Sequence, residues 1–546
     1  MQTLLKAAEL SPRGSDRARR LAAAAHLGAD ATGRIRSVPE YLAQARSADP
    51  DAEASLEVAV AAAYHLLNGE GDVDTAHLVL VRAVENAIES AGDAAAADGL
   101  ARGAIEEALY NLMMVCHFGG REEPWRPFER ALRGLGSAVR PVLAASSTCL
   151  AAPVRATRAE LDRLDALVAG LDTEVDPVHI VRVGIAAFYV DRLGSCREAL
   201  RRVVRDGRDG GAAASAVNAQ LLLGYDDFVA GRWDDARRTA EESVAWGRRL
   251  GYELMALPGL YCLALVAAAR GDQEATRALT GDMTAWAAPR KVALVEHIAS
   301  RARGLAALGR DDYEEAYQQA SSISPAGHFA AHAPVALGVG LDLVEAAVRS
   351  GRRAEADAHV AAMQRAEVFR LRPRLALIAG GAAGVAASGT DPRRAEQHFD
   401  RALAVPGAAR YPFEHARVQL AYGAHLRRTR AMQASRRQLT AALQTFTRLG
   451  ARPWAERTAQ ELRVSGLTHR SATDGGAAPL SAQEYEIASL AASGLTNKQI
   501  ATRLHLSPRT VSSHLYRVFP KLGISTRAAL RDALTNAPAA GDRPDD

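Results

Sequence analysis

The residues whose types and spacing can do chemistry lie near the C-terminus. From Ser507 to Leu522 the chain places Val511, Leu515, Val518 and Leu522 at i, i+4, i+7 and i+11, one apolar stripe of a helix. Arg509, Ser512, Ser513 and Tyr516 fall on the opposite face, with Arg517 beside it. Hydroxyls both donate and accept hydrogen bonds, and guanidinium donates only. On a helix of this size such a face can enter the major groove of a duplex and reach base edges. Lys498, Arg509, Arg517 and Lys521 are placed to neutralise phosphates, and the free amides at the start of the helix can bind another. A polar helix face can equally be only a solvated one, and the pattern alone does not separate the two.

Charge tilts the balance. Residues 480–536 hold seven basic side chains (Lys498, Arg503, Arg509, Arg517, Lys521, Arg527, Arg531) against three acidic ones (Glu484, Glu486, Asp532). That surplus equals the formal net charge of +4 for all 546 residues, so the remainder of the chain balances to zero. Positive potential is concentrated around one helix, as a nucleic-acid footprint requires.

Other chemistry is scarce. The sequence has no H-E-x-x-H, no G-x-S-x-G and no G-x-G-x-x-G between a strand and a helix, so no catalytic residue is assigned and no enzyme is expected. His328 and His332 are four apart, but no carboxylate sits between them, and Pro325, Gly327 and Pro334 indicate a loop. No metal is expected there. Cys116, Cys149, Cys196 and Cys262 form no C-x-x-C pair, and Cys196 and Cys262 stand among apolar residues as reduced core thiols. No cofactor is expected. The longest uncharged runs, at 254–269 and 375–390, fall short of a membrane span, and the first residues lack an apolar leader, so the expected location is the cytoplasm.

Caps mark the elements that must position the polar face. Ser481-Ala-Gln-Glu484 and Thr496-Asn-Lys-Gln499 are capping boxes opening two helices, and Gly494 ends the first. His505-Leu506 makes a short turn, after which Ser507 caps and Pro508 starts the third helix. Pro520 should end or kink its last turn, Gly523 should close it, and Ser525 or Thr526 should cap a fourth helix through Leu534. Two helices joined by so short a turn read as helix-turn-helix. The composition of residues 465–479 is that of a flexible linker, and 537–546 that of a disordered tail.

Upstream, over 1–464, helical spacing dominates. A mark recurs in which a Gly and polar residues precede a small residue opening a new helix. It stands at Gly194, Gly231, Gly271, Gly309, Gly351 and Gly389, at intervals of 37, 40, 38, 42 and 38. A period near 40 predicts stacked helical hairpins, firmest from 180 onward, with each Gly in the left-handed conformation and the acidic residues after it at a helix N-terminus. The expected class is all-α, a tetratricopeptide-like superhelix followed by a four-helix helix-turn-helix domain. Trp233, Tyr261, Trp286 and Tyr313 can line a groove or pack between repeats.

The segments Leu480-Ser-Ala-Gln-Glu-Tyr-Glu-Ile487, Gly494-Leu-Thr-Asn-Lys-Gln-Ile-Ala501, Leu506-Ser-Pro-Arg-Thr-Val-Ser-Ser-His-Leu515 and Lys521-Leu-Gly-Ile-Ser-Thr-Arg527 resemble the LuxR-type DNA-binding domain. The resemblance covers about a tenth of the chain. It implies that the third helix reads the major groove, with Ser512, Ser513 and Tyr516 facing bases and Lys498, Arg509, Thr510, Arg517 and Lys521 near the backbone. It implies a structural His514, a homodimer joined through the fourth helix, and double-stranded promoter DNA as partner. Many family members carry Lys or Arg where Ser512 stands, so base contacts here are expected to be fewer or bridged by water. Tyr411-Pro-Phe-Glu-His-Ala-Arg417 and Leu449-Gly-Ala-Arg-Pro-Trp-Ala-Glu456 resemble the C-terminal half of large ATP-binding LuxR regulators. None of the four lysines follows a glycine, so no P-loop is present to carry over their ATP-driven switching. The whole is expected to be a transcription regulator, an activator by family habit. Its helical array would sense a small-molecule or protein effector and control dimerisation or contact with RNA polymerase. The alternative is an interaction scaffold whose helix-turn-helix meets protein, such as polymerase, rather than DNA.

Overall fold

A computed structural model describes residues 1–30, 37–49, 55–69, 71–91, 99–136, 139–329, 332–465, 480, 482–504, 506–522, 524 and 526–535. Among the described residues there is no strand: the chain is built from 28 α-helices joined by turns and short 3-10 segments. It divides into two compact units, Met1–Leu467 and Thr468–Asp546.

The first unit is an array of helical hairpins. Its inner layer is the succession Ala213–Val229, Glu253–Arg270, Ala293–Gly309, Gly340–Arg349, Pro373–Ala387 and Pro412–Arg428, each packed on the next. The outer layer is Trp233–Leu250, Gln273–Ala287, Tyr313–Ile323, Arg353–Arg365, Pro392–Leu403 and Met432–Leu449; the first five lie on the inner helices before and after them, and the last on Pro412–Arg428 and Arg452–Val464. The division follows from composition. Trp233–Leu250 buries only Trp233, Ala236, Ala240, Ser243, Val244 and Gly247, one stripe of an amphipathic helix. Glu253–Arg270 is buried nearly all round, so its small residues are what allow neighbours close: a Cβ on Gly259 would come within 2.6 Å of Val244 Cγ2. Among the described residues that helix is the one long and apolar enough to cross a membrane, but 67% of it is buried within the unit. One continuous apolar core runs from Ala59 to Leu462. All four cysteines are free and buried in it or beside it.

The repeat mark is more varied than the glycine spacing suggests. Gly231, Gly271 and Gly351 do take positive φ, at 76°, 83° and 84°. Gly194, Gly309 and Gly389 do not. At the first two junctions the left-handed residue is an aspartate, Asp191 (φ 60°) or Asp311 (φ 61°), because a short polar side chain tolerates that region better than other non-glycine residues. Gly194 and Gly389 serve close approach instead, to the guanidiniums of Arg410 and Arg353. The acidic caps appear as expected: Asp272, Asp312 and Asp391 accept from the amides of Ala275, Glu315 and Arg394. Upstream, Asp72 does the same for Thr75.

The array winds so tightly that successive turns touch. Arg290 donates to the Gly69 carbonyl, Lys291 pairs with Asp74, Arg372 pairs with Asp165 and Arg452 donates to the Arg270 carbonyl, across separations of 182 to 221 residues. With a repeat near 40, each turn holds roughly five hairpins. Trp233 is fixed in this seam, stacked on Phe228 and edge-on to Phe413 at 5.3 Å, so it is a packing residue. Gly231 lies in the same seam, where a Cβ would stand 2.5 Å from Pro412 and 2.9 Å from Leu449. Gly231→Ala should therefore cost more than the ~1–2 kcal/mol of a left-handed alanine, and a denaturant titration showing a loss below that would place the seam's contribution near zero.

Candidate nucleic-acid interface

The second unit folds its helices Ala482–Ala492, Asn497–Leu504 and Pro508–Lys521, the 3-10 turn Arg527–Ala529 and the helix Leu530–Thr535 around a small apolar core. Ile487, Ala488, Ile500, Ala501, Val511, Leu515, Val518 and Leu530 are buried in it. The stripe expected of the third helix is thus its inward face, with Leu522 partly buried at its end. Gly494 ends the first helix with φ 92°. The Thr496 box forms as the spacing requires: the Thr496 amide donates to Gln499 Oε1 at 2.8 Å and Thr496 Oγ1 accepts from the Gln499 amide. Ser507 Oγ accepts from the Thr510 amide at 3.0 Å, capping the third helix.

The start of the fourth element differs from expectation. Thr526 is the residue before its first turn but makes no side-chain cap, and that turn is a 3-10 segment, with α-helix only from Leu530. The third helix runs to Lys521, one residue past Pro520, in line with a proline in its last turn. Ser481, Gly523, Ser525 and the tail 537–546 lie outside the described residues, as does the proposed linker except for Ser465. Ser465 is buried, and its carbonyl accepts from Arg436, which ties it to the helical array.

The face opposite the core is open. Arg509, Ser512 and Ser513 are exposed, Thr510 is half-buried, and Tyr516 is 81% exposed. An aromatic ring held that far out of the core gains nothing from packing within the unit. Lys498 is exposed on the preceding helix. Arg517 and Lys521 lie on the third helix, but their side chains fall outside the described residues. The two serines are not equivalent. Ser513 Oγ donates back to the Arg509 carbonyl at 3.0 Å, whereas Ser512 Oγ accepts from Asn497 Nδ2 at 2.9 Å. Asn497 Oδ1 in turn accepts from Arg527 Nη1 at 2.6 Å, and Arg527 also donates to the Leu495 carbonyl. Asn497 and Arg527 therefore orient Ser512 and lock the helix pair. Helical periodicity could not find them, because the chain links run between elements 15 and 30 residues apart.

Comparison with known proteins agrees with this geometry. Residues 478–533 match the family described as bacterial regulatory proteins, luxR family. The C-terminal unit carries a LuxR-family helix-turn-helix domain. Two relatives, each named "Putative HTH-type transcriptional regulator", one from Mycobacterium bovis and one from Mycobacterium tuberculosis, are 38% identical over 87 residues. That stretch is 15% of this chain and 10% of each relative, so the chain spans about a tenth of the length of the proteins it matches. A solved circular tandem repeat protein aligns with 82% of this chain and 96% of its own at 15% identity, with a TM-score of 0.13, too low to bear on the fold.

The remaining sequence candidates lie in the helical array. Tyr261 is buried on the inner layer beside Arg301, Trp286 lies under Arg290, and Tyr313 lines a groove of about 1040 Å³ with Arg349, Arg353 and Arg457. His332 stacks on Trp125 with centroids 4.9 Å apart.

Asn497→Ala removes both bonds of the Arg527–Asn497–Ser512 chain, and should lower the stability of the LuxR-family domain by about 1–3 kcal/mol. Hydrogen exchange in the third helix measures this; rates equal to wild type would mean the chain of bonds does not hold the helix pair.

Proposed function

We propose that this chain is a transcription regulator without enzymatic activity, working in the cytoplasm. Its LuxR-family domain binds double-stranded promoter DNA as a homodimer on an inverted repeat and activates transcription through RNA polymerase. Ser512, Ser513 and Tyr516 read bases. Lys498, Arg509, Thr510, Arg517 and Lys521 hold the backbone, and the capped N-terminus of the third helix supplies amides to a phosphate. The observation that carries this reading is Tyr516, 81% exposed between serines and arginines on the third helix of that domain. The names of the relatives support it. Charge supports it as well, because the surplus of basic residues lies in 480–536.

The helical array is the sensor in this scheme, and 465–479 is a flexible linker that lets it mask or release the third helix. Deleting residues 1–470 should then change promoter affinity and abolish any effector response; a truncated chain with both unaltered would sink the masking idea.

Genome-wide DNA capture with the full-length protein, followed by salt titration on the best site, tests the main reading. A shared palindrome bound far more tightly than random DNA supports it. Binding without any motif favours a scaffold that meets polymerase. Arg517→Ala should weaken binding to all sequences and flatten the salt slope by about one. Tyr516→Ala should instead change sequence preference, and equal losses on specific and random duplexes would remove its base-reading role.

A further inference from the structure

The inner helices of the array face a series of buried arginines, and nearly all of them have a carboxylate. Arg374 bonds Glu414 at 2.8 Å, Arg417 bonds Asp342 at 2.5 Å and Glu345 at 2.9 Å, and Arg457 bonds Glu345 at 2.6 Å. Arg301 is the exception. It donates to two phenol oxygens, Tyr261 Oη at 2.9 Å and Tyr225 Oη at 3.3 Å, and forms no ion pair among the described residues. Gly338 packs against it: a Cβ there would lie 2.9 Å from Arg301 Nη1 and 3.0 Å from Cζ, so a larger residue would push the guanidinium aside.

Arg301 lines a cavity of about 100 Å³ whose walls include Phe188, Tyr225, Pro258, Tyr261 and Ile298. The same cavity is lined by Asp191, whose Oδ2 is buried and makes no hydrogen bond. Asp191 stands at a left-handed φ of 60°. One cavity thus offers a guanidinium whose side-chain hydrogen bonds go to phenols rather than to a carboxylate, a carboxylate with one oxygen lacking a donor while Tyr411 and Arg374, the latter also in the cavity wall, act on the group, and aromatic side chains around both. Polar groups left short of partners in a partly desolvated site are unfavourable.

We propose that this cavity binds a small zwitterion, a free α-amino acid, with its carboxylate on Arg301, its ammonium on Asp191 and its side chain against the aromatic wall. A 150 Å³ cavity admits benzene, so one of about 100 Å³ suits only a smaller ligand, on the scale of glycine or alanine. The cavity is enclosed by inner segments of six successive repeats, so occupancy tightens one full turn of the array. This assignment rests on the array acting as a sensor, and it names the class of effector.

Calorimetric titration of the full-length protein, in the absence of DNA, tests it with L-alanine, glycine, propionate and ethylammonium as probes. Glycine or L-alanine should bind at least tenfold more tightly than either singly charged probe. Asp191→Asn, which keeps a residue tolerant of positive φ, and Arg301→Gln should each lose tenfold or more. Gly338→Ala should weaken binding with both charged residues still present, guarding against a variant that simply misfolds. Failure of both amino acids to bind overturns the proposal. So does propionate binding as tightly as alanine with no effect of Asp191→Asn. Because no DNA is present, a negative result leaves the promoter-binding reading intact, and loss of promoter binding leaves this one intact.

Discussion

A helix can be surrounded by other helices only if its neighbours are allowed close, and the inner layer of this array meets that condition with alanine and glycine. The small side chains bring successive inner helices together while the larger outer helices ride over them. Unequal widths on the two sides of a layer bend it, and here the bend is strong enough that about five hairpins complete a turn. Three features of the first unit go with it: the seam contacts near 200 residues apart, the glycines that let prolines and guanidiniums pass between turns, and an interior into which the inner layer buries charged side chains.

That interior is lined by charge, and pairing is what makes it tolerable. Arg374, Arg417, Asp342 and Glu414 are all buried, at exposures of 5% to 7%. Buried pairs contribute little net stability over an apolar substitute, but breaking one is costly, so such a network favours one arrangement of the inner helices over its alternatives. Burial holds the Asp191 carboxyl above its usual range, partly offset by nearby Arg374 and Tyr411. Charge is unevenly spread along the chain: residues 480–536 carry a net +4, and all the others together sum to zero.

Features that depend on local order along the chain could be read directly. The hairpin period, the aspartate caps, the Thr496 box, the Ser507 cap and the inward stripe Val511, Leu515 and Val518 all arise from residues within one or two turns of each other. The exposed face of Ser512, Ser513 and Tyr516 followed from the same periodicity. What could not be read depends on distance. The left-handed aspartates stand three residues before Gly194 and two after Gly309, where glycine spacing had pointed, and a turn does not announce which of two tolerant residues will take the strain. The hold of Asn497 on Ser512 joins neighbouring elements, and the Trp233–Phe413 contact joins neighbouring superhelical turns. Neither leaves a trace in spacing. That Arg301 bonds phenols where its neighbours bond carboxylates depends on several elements at once, which no window of sequence contains.

The seam between turns has an evolutionary consequence. In an open solenoid each repeat touches only the ones beside it, so a gene can gain or lose a repeat by duplication or deletion and the product still folds. Here Asp165 must meet Arg372, Asp74 must meet Lys291 and Trp233 must meet Phe413. Inserting one hairpin anywhere between such partners would move the later one a fifth of a turn out of register and break every pairing that spans the insertion. The number of repeats in this array is therefore fixed in the way that the strand number of a closed barrel is fixed, and descent within the lineage should proceed by substitution rather than by change in repeat count.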